Sequence, residues 1–248
     1  MQKKKSELKI LYIQIREDQV TCDEELDEFV RFSELSKEQF TILNVFKTRE
    51  FEPNVADGHD AVFVGGSSDA SVLEPEKYTF VESCKKLLVC CCSNNIPTFA
   101  SCFGFQIAVD AFGGTVIDDR ENMEMGTYEI TLSEEGERDR LFKDVPKKFW
   151  AVSGHQKRTL TLPDSMVNLA STESCPYHCF VIKGKPFYGF QFHPEVDKKD
   201  LIGRITRYQE RYLDDDGSLQ RIIESAVETP FANDLVRKFV NIIILKGE

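Results

Sequence analysis

The stretch Ile96-Pro97-Thr98-Phe99-Ala100-Ser101-Cys102-Phe103-Gly104-Phe105-Gln106 constrains the fold most strongly. A short apolar run breaks at Ser101-Cys102-Phe103-Gly104 and resumes as a second apolar run, closed by Gly113-Gly114. That pattern predicts a buried strand over 96–100 turning sharply into a helix over 104–112. Strand–helix units recur upstream. Leu8–Arg16 reads as a strand, Cys22–Leu35 as a helix and Phe40–Phe46 as a strand. His59–Val64 reads as a buried strand ended by Gly65-Gly66, and Glu76–Ser93 as a helix stopped by Asn94-Asn95. The alternation implies an α/β fold with a central, mostly parallel sheet flanked by helices.

The second half changes character. Tyr128–Leu132, Lys148–Ser153, Asn168–Ser171, His178–Lys183 and Phe187–Phe192 are short strand-like runs between turn residues. They are expected to extend the sheet or to form a small additional antiparallel sheet. After Glu195 the chain reads as a helical C-terminal segment: Lys199–Leu213, Ser218–Val227 and Phe231–Leu245. An acidic turn, Asp214-Asp215-Asp216-Gly217, separates the first two and reads as a solvated loop and helix cap. No repeat or linker divides the chain. One domain over residues 1–248 is expected, with a core over about 8–195 and a helical extension over about 196–248.

At 248 residues and 41% hydrophobic, the chain can bury a full core. Its net charge of −11 argues against nucleic acid or an anionic membrane surface as the main partner. The opening MQKKKSELKILYIQI has no long apolar segment and reads as a first strand rather than a signal peptide. Eight cysteines without a secretory signal are expected to be reduced thiols of a cytoplasmic protein. Cys90-Cys91-Cys92 point in different directions on a helix and read as small buried residues. Cys175-x3-Cys179 with His178 lacks a second ligand pair of convincing spacing, so no metal site is assigned.

Cys102 has the placement of a nucleophile. A cysteine at a helix start gains a lowered pKa from the helix dipole, and the tight turn projects its sulfur outward. Far downstream, Tyr188–Val196 reads YGFQFHPEV. Alternation along an extended chain puts His193 and Glu195 on one side, where the carboxylate would orient the imidazole toward the sulfur. Cysteine, histidine and an orienting acid are the parts of covalent acyl transfer through a thioester.

PTFASCFGFQ, FVGGSSD and YGFQFHPEV together resemble the class I (triad-type) glutamine amidotransferase family, over about Leu8 to Glu195. FWAVSGHQKRTLTLPDSMVNLASTE is similar to the family segment between nucleophile and His-Pro-Glu. MEMGTYEITL and TPFANDLVRKFV are most similar to stand-alone, GMP-synthase-like members and to the γ-glutamyl peptidases. The resemblance implies a flavodoxin-like fold and makes Cys102 the nucleophile, His193 the proton shuttle and Glu195 its orienting acid. It implies an oxyanion hole from the backbone N–H groups of Gly66 and Phe103, each such donor contributing about 2.7–4 kcal/mol to barrier lowering. Gln106 would contact bound glutamine, with Gly154, Gln156 and Lys157 as further pocket candidates; His155 receives no chemical step. Ala100, Ser67 and Phe105 depart from the family pattern, which usually has glycine, proline and histidine there.

No cofactor or metal is required by this chemistry. The substrate would be glutamine or a γ-glutamyl compound. No GxxxxGK[ST] phosphate loop is present, so ammonia would pass to a separate synthetase or acceptor protein. Alternatives are a self-sufficient γ-glutamyl peptide hydrolase using the same triad, and a non-catalytic regulatory or interaction subunit.

Overall fold

A computed structural model describes residues 3–207 and 216–246. Its centre is a nine-stranded sheet. In chain order the strands are β1 (Ile10–Gln14), β2 (Phe40–Asn44), β3 (Ala61–Val64), β4 (Thr98–Ser101), β6 (Glu124–Leu132), β7 (Lys148–His155), β9 (Met166–Ser171), β10 (Cys179–Ile182) and β11 (Phe187–Phe190). Their spatial order is β2-β1-β3-β4-β11-β10-β9-β6-β7. The first five are mutually parallel. From β11 onward every pairing is antiparallel.

The parallel strands are buried on both faces, as continuous apolar runs require. Along β1, Ile10 and Tyr12 pack into one core while Leu11 and Ile13 pack into the other. The first core holds Leu26 and Phe29 of α1 (Gln19–Ser33). The second holds Val81, Cys84 and Leu88 of α2 (Phe80–Ser93) and Ile107 of α3 (Phe103–Ala111). Helix α1 starts where Asp18 accepts a 2.9 Å hydrogen bond from the Thr21 N–H. Cys91 and Cys92 are buried on α2, in agreement with their reading as packing residues, whereas Cys90 is only half-buried and departs from it.

The short strands of the second half extend the main sheet, one of the two arrangements expected. Three features differ from the sequence reading. The separate two-stranded sheet instead pairs β5 (Thr115–Asp118) with β8 (Lys157–Thr161), two polar segments with too little apolar alternation to signal themselves. The strand expected over Phe187–Phe192 stops at Phe190, because the chain there leaves β4. The Gln191 N–H then donates to the His178 carbonyl, and the His193 N–H donates to the Val152 carbonyl on β7. Finally, the expected last helix divides into α7 (Pro230–Lys238) and a π-helical turn, Phe239–Ile244, that keeps Phe239, Val240 and Ile243 buried.

A short α4 (Glu134–Arg138) follows β6. Helices α5 (Lys198–Arg207) and α6 (Asp216–Ser225) carry Leu201, Ile205 and Ile222 into a third, smaller cluster with Val152 and Val196. The end of the expected helix Lys199–Leu213, with Asp214 and Asp215 of the acidic turn, lies outside the described residues. Among the described residues no helix is long and apolar enough to cross a membrane.

Candidate active site

Strands β3, β4 and β11 run parallel in register, with Ala100 opposite both Val64 and Gly189. Their carboxyl ends therefore finish at one edge. Gly65-Gly66 follows β3, Cys102 follows β4, and Gln191-Phe192-His193 follows β11. Ligands of open α/β sheets bind at such carboxyl ends, and here three distant sequence segments converge on one.

Cys102 caps α3 with φ +47° and ψ −96°. A non-glycine residue held there stores roughly 1–3 kcal/mol of backbone strain, which its surroundings must impose. Two hydrogen bonds do so: the Cys102 N–H donates to the Phe190 carbonyl at 2.6 Å, and the Cys102 carbonyl accepts from the Gln106 N–H at 3.1 Å. Gly104 completes the elbow. A Cβ there would lie 2.9 Å from the Val64 side chain and 3.0 Å from the Val64 carbonyl oxygen. The methyl of Ala100, on the opposite face from Phe99 and Ser101, packs into the α2–α3 core and leaves the elbow undisturbed.

The thiol lies at the wall of a cavity of about 150 Å³. Phe103, Gln106, Gly154, Gln156 and Lys157 line the same cavity, so the structure brings together the residues expected to surround a substrate. Cys102 Sγ sits 3.9 Å from the Gly154 carbonyl. Gln106 is not free to turn at will: its Nε2 donates to the Lys157 carbonyl at 3.1 Å and to Gln191 Oε1 at 3.3 Å. The Asp119 N–H donates to the Gln156 carbonyl at 2.9 Å.

His193 Nδ1 and Glu195 Oε1 are 2.7 Å apart. The expectation of a continuous extended strand is corrected here. The pair meets across a turn, with Pro194 between them, rather than along one strand face. Since Nδ1 faces the carboxylate, Nε2 is the nitrogen left free to serve the Cys102 side chain. Burial opposes charge on His193, but the facing Cys102 sulfur and the Glu195 carboxylate outweigh it and raise its pKa from 6.5 to about 10.

Sequence reasoning passed over several neighbours. Ser101 Oγ lies 2.8 Å from both Glu195 oxygens, so the residue before the nucleophile holds the acid. Gln191 Nε2 lies 3.9 Å from Cys102 Sγ. Asn233 on α7 donates through Nδ2 to the Pro194 carbonyl at 2.8 Å and the Val196 carbonyl at 3.0 Å, fixing the turn that presents Glu195. Ser101 and Gln191 sit inside the two motifs around Cys102 and His193. Asn233 gives no local signal, because its partners are far away in sequence.

The two backbone donors expected at an oxyanion differ. Phe103 is the first residue of α3, and its N–H has no carbonyl within the helix to bond. The Gly66 N–H donates instead to Glu25 Oε1 at 3.1 Å. Glu25 is fully buried, bonded also to Tyr12 Oη and paired with Arg16 at 2.8 Å. Glycine is required at 66 by close approach: a Cβ would lie 2.8 Å from Arg16 Nη2 and 3.0 Å from His193 Cε1.

Residues 35–206 match the family model described as Glutamine amidotransferase class-I. The chain is 35% identical over 114 residues to the A subunit of glutamine-hydrolyzing GMP synthase from Pyrococcus abyssi, covering 46% of this chain and 58% of that protein. It is 34% identical over 127 residues to the protein of the same name from Methanococcus aeolicus, covering 51% of this chain and 65% of that one. The alignments thus span less than two thirds of either relative. In fold it is similar to a glutamine amidotransferase of Thermotoga maritima, with a TM-score of 0.76 at 20% identity, covering 96% of this chain and 98% of that one.

Proposed function

The chain belongs to the class-I glutamine amidotransferase family, and from that premise we propose that it hydrolyses the side-chain amide of glutamine through a thioester on Cys102. The observation that carries the reading is the strained Cys102 elbow facing an imidazole whose other nitrogen is held by Glu195. In this mechanism the thiol proton already rests on His193 Nε2, and the Cys102 thiolate attacks the amide carbon. The imidazolium returns the proton to the leaving nitrogen, which departs as ammonia. His193 then activates a water that hydrolyses the thioester to glutamate. Glu195 keeps Nδ1–H engaged throughout, and Ser101 and Asn233 hold Glu195 and its turn in place.

The Phe103 N–H is the donor poised for the oxyanion. The Gly66 N–H would join it only after turning from Glu25, so the second half of the hole forms on substrate binding. Gly154, Gln156, Lys157 and Gln106 form the glutamine pocket. The ammonia passes to a synthetase or acceptor protein. Relatives named as the A chain of a GMP synthase support that partnership.

A second reading, a γ-glutamyl peptide hydrolase, has its own support. A further cavity of about 50 Å³ adjoins the first, with Ser67, Ser68, Met125 and Gly154 in both walls and His193 in the wall of the smaller one. It offers room for a leaving group larger than ammonia. Glutamate release from glutamine and from a γ-glutamyl dipeptide, measured on the chain alone, separates the readings. Glutamine turnover that a partner stimulates supports the first, and strong dipeptide cleavage without a partner supports the second. Cys102→Ser should abolish both without lowering the melting temperature; turnover retained in that variant would overturn both.

A further inference from the structure

A second cluster of reactive side chains lies at the sheet end where β6, β7 and β10 come together. Glu124 opens β6 opposite His155 at the end of β7, while Cys175 and His178 sit in the connection between β9 and β10. All four are buried. Glu124 Oε2 lies 2.7 Å from His178 Nε2 and 3.2 Å from His155 Nε2. Its Oε1 accepts from the Ser174 hydroxyl at 2.6 Å and from the Thr172 hydroxyl.

A carboxylate that accepts from both rings fixes both as Nε2–H tautomers and leaves a bare lone pair on each Nδ1. Both Nδ1 atoms are buried without a hydrogen-bond partner among the described residues. One ring nitrogen of each histidine and Cys175 Sγ all lie within 4.8 Å of one another. Metal-ligating imidazoles characteristically give their other N–H to a carboxylate, which is the arrangement around Glu124.

We propose that His155, Cys175 and His178 form a binding site for a borderline-soft divalent cation of the Zn²⁺ class, with Glu124 orienting both imidazoles. Two neutral imidazoles and one sulfur suit such an ion. Binding releases the Cys175 proton, and the thiolate and the Glu124 carboxylate then balance the two positive charges. With Zn–N of about 2.0–2.1 Å and Zn–S of about 2.3 Å, the ligand atoms must draw together to roughly 3.5 Å on binding. Cys179, the ligand that sequence spacing offered beside His178, packs into the core on β10 and takes no part. His155, from a distant strand, takes its place.

This site does not depend on thioester chemistry, and its test removes the competing thiol. The full chain carrying Cys102→Ser is titrated with Co²⁺, followed by Zn²⁺ competition. One equivalent should bind, with a sulfur-to-cobalt absorption band and the visible bands of a tetrahedral centre, both lost on adding Zn²⁺. Adding Cys175→Ser or His178→Gln should abolish the bands, and Glu124→Gln should weaken binding by about 10–100-fold. Melting curves establish that each variant is folded, and the His178→Gln variant decides the matter if Cys175→Ser does not fold. No sulfur-to-cobalt band in the Cys102→Ser chain, or bands that survive both ligand substitutions, would overturn the proposal.

Discussion

His193 is the residue on which the proposed chemistry turns, and its environment fixes a pH signature. Its folded-state pKa of about 10 stands above the ordinary 6.5, so the folded chain binds the proton more tightly than the unfolded one. The stabilisation this provides is complete below about pH 6.5 and is lost as pH rises through about 10. Glu195→Gln removes one of the charges that raise that pKa. We expect kcat/KM to fall by roughly 10²–10⁴-fold while staying measurable. The alkaline limb of its pH profile should move to lower pH; an unchanged limb would assign the third role to another acid. The pair itself was legible, because His-Pro-Glu stands out in sequence. The bond between the Gly66 N–H and Glu25 was not, since Glu25 is an ordinary acidic residue of an amphipathic helix until the fold buries it against Arg16 and Tyr12.

The elements that set the site are a parallel strand triplet and one remote helix. The alternation of strands and helices through Phe112 was readable because buried parallel strands are short apolar runs bounded by glycine or asparagine. The departures came where local pattern is overridden. The aromatic alternation over Phe187–Phe192 cannot foresee that the chain abandons β4 after Phe190 for a partner on β7, because that choice belongs to tertiary pairing. Helix α7 read as a C-terminal helix with the family-like run TPFANDLVRKFV, but nothing in that run foretells that Asn233 ties it to the turn carrying Glu195. Asn233→Ala leaves the Pro194 and Val196 carbonyls without that donor, at about 1–3 kcal/mol for a buried unsatisfied group. Urea denaturation should register that loss, and glutamate release should fall with it. Wild-type stability and activity together would separate α7 from the site.

Across the whole molecule, the C-terminal segment completes the first core. Phe239 is fully buried, with its ring 5.3 Å from Phe99 and 5.8 Å from Phe63, and Phe99 packs on toward Phe190 at 4.6 Å. One aromatic chain thus links the C-terminal segment to the strands that lead to Cys102 and His193. Phe239→Ala should cost about 3–5 kcal/mol, read as a lowered denaturation midpoint. A change below about 1 kcal/mol would mean that the segment docks weakly. The central claim is tested most directly by acid-quenching the chain during glutamine turnover and locating acyl groups by peptide mass spectrometry. The account requires a γ-glutamyl thioester on the Cys102 peptide, absent in Cys102→Ser. Turnover with no acyl group on Cys102, or with one on another cysteine, would contradict it.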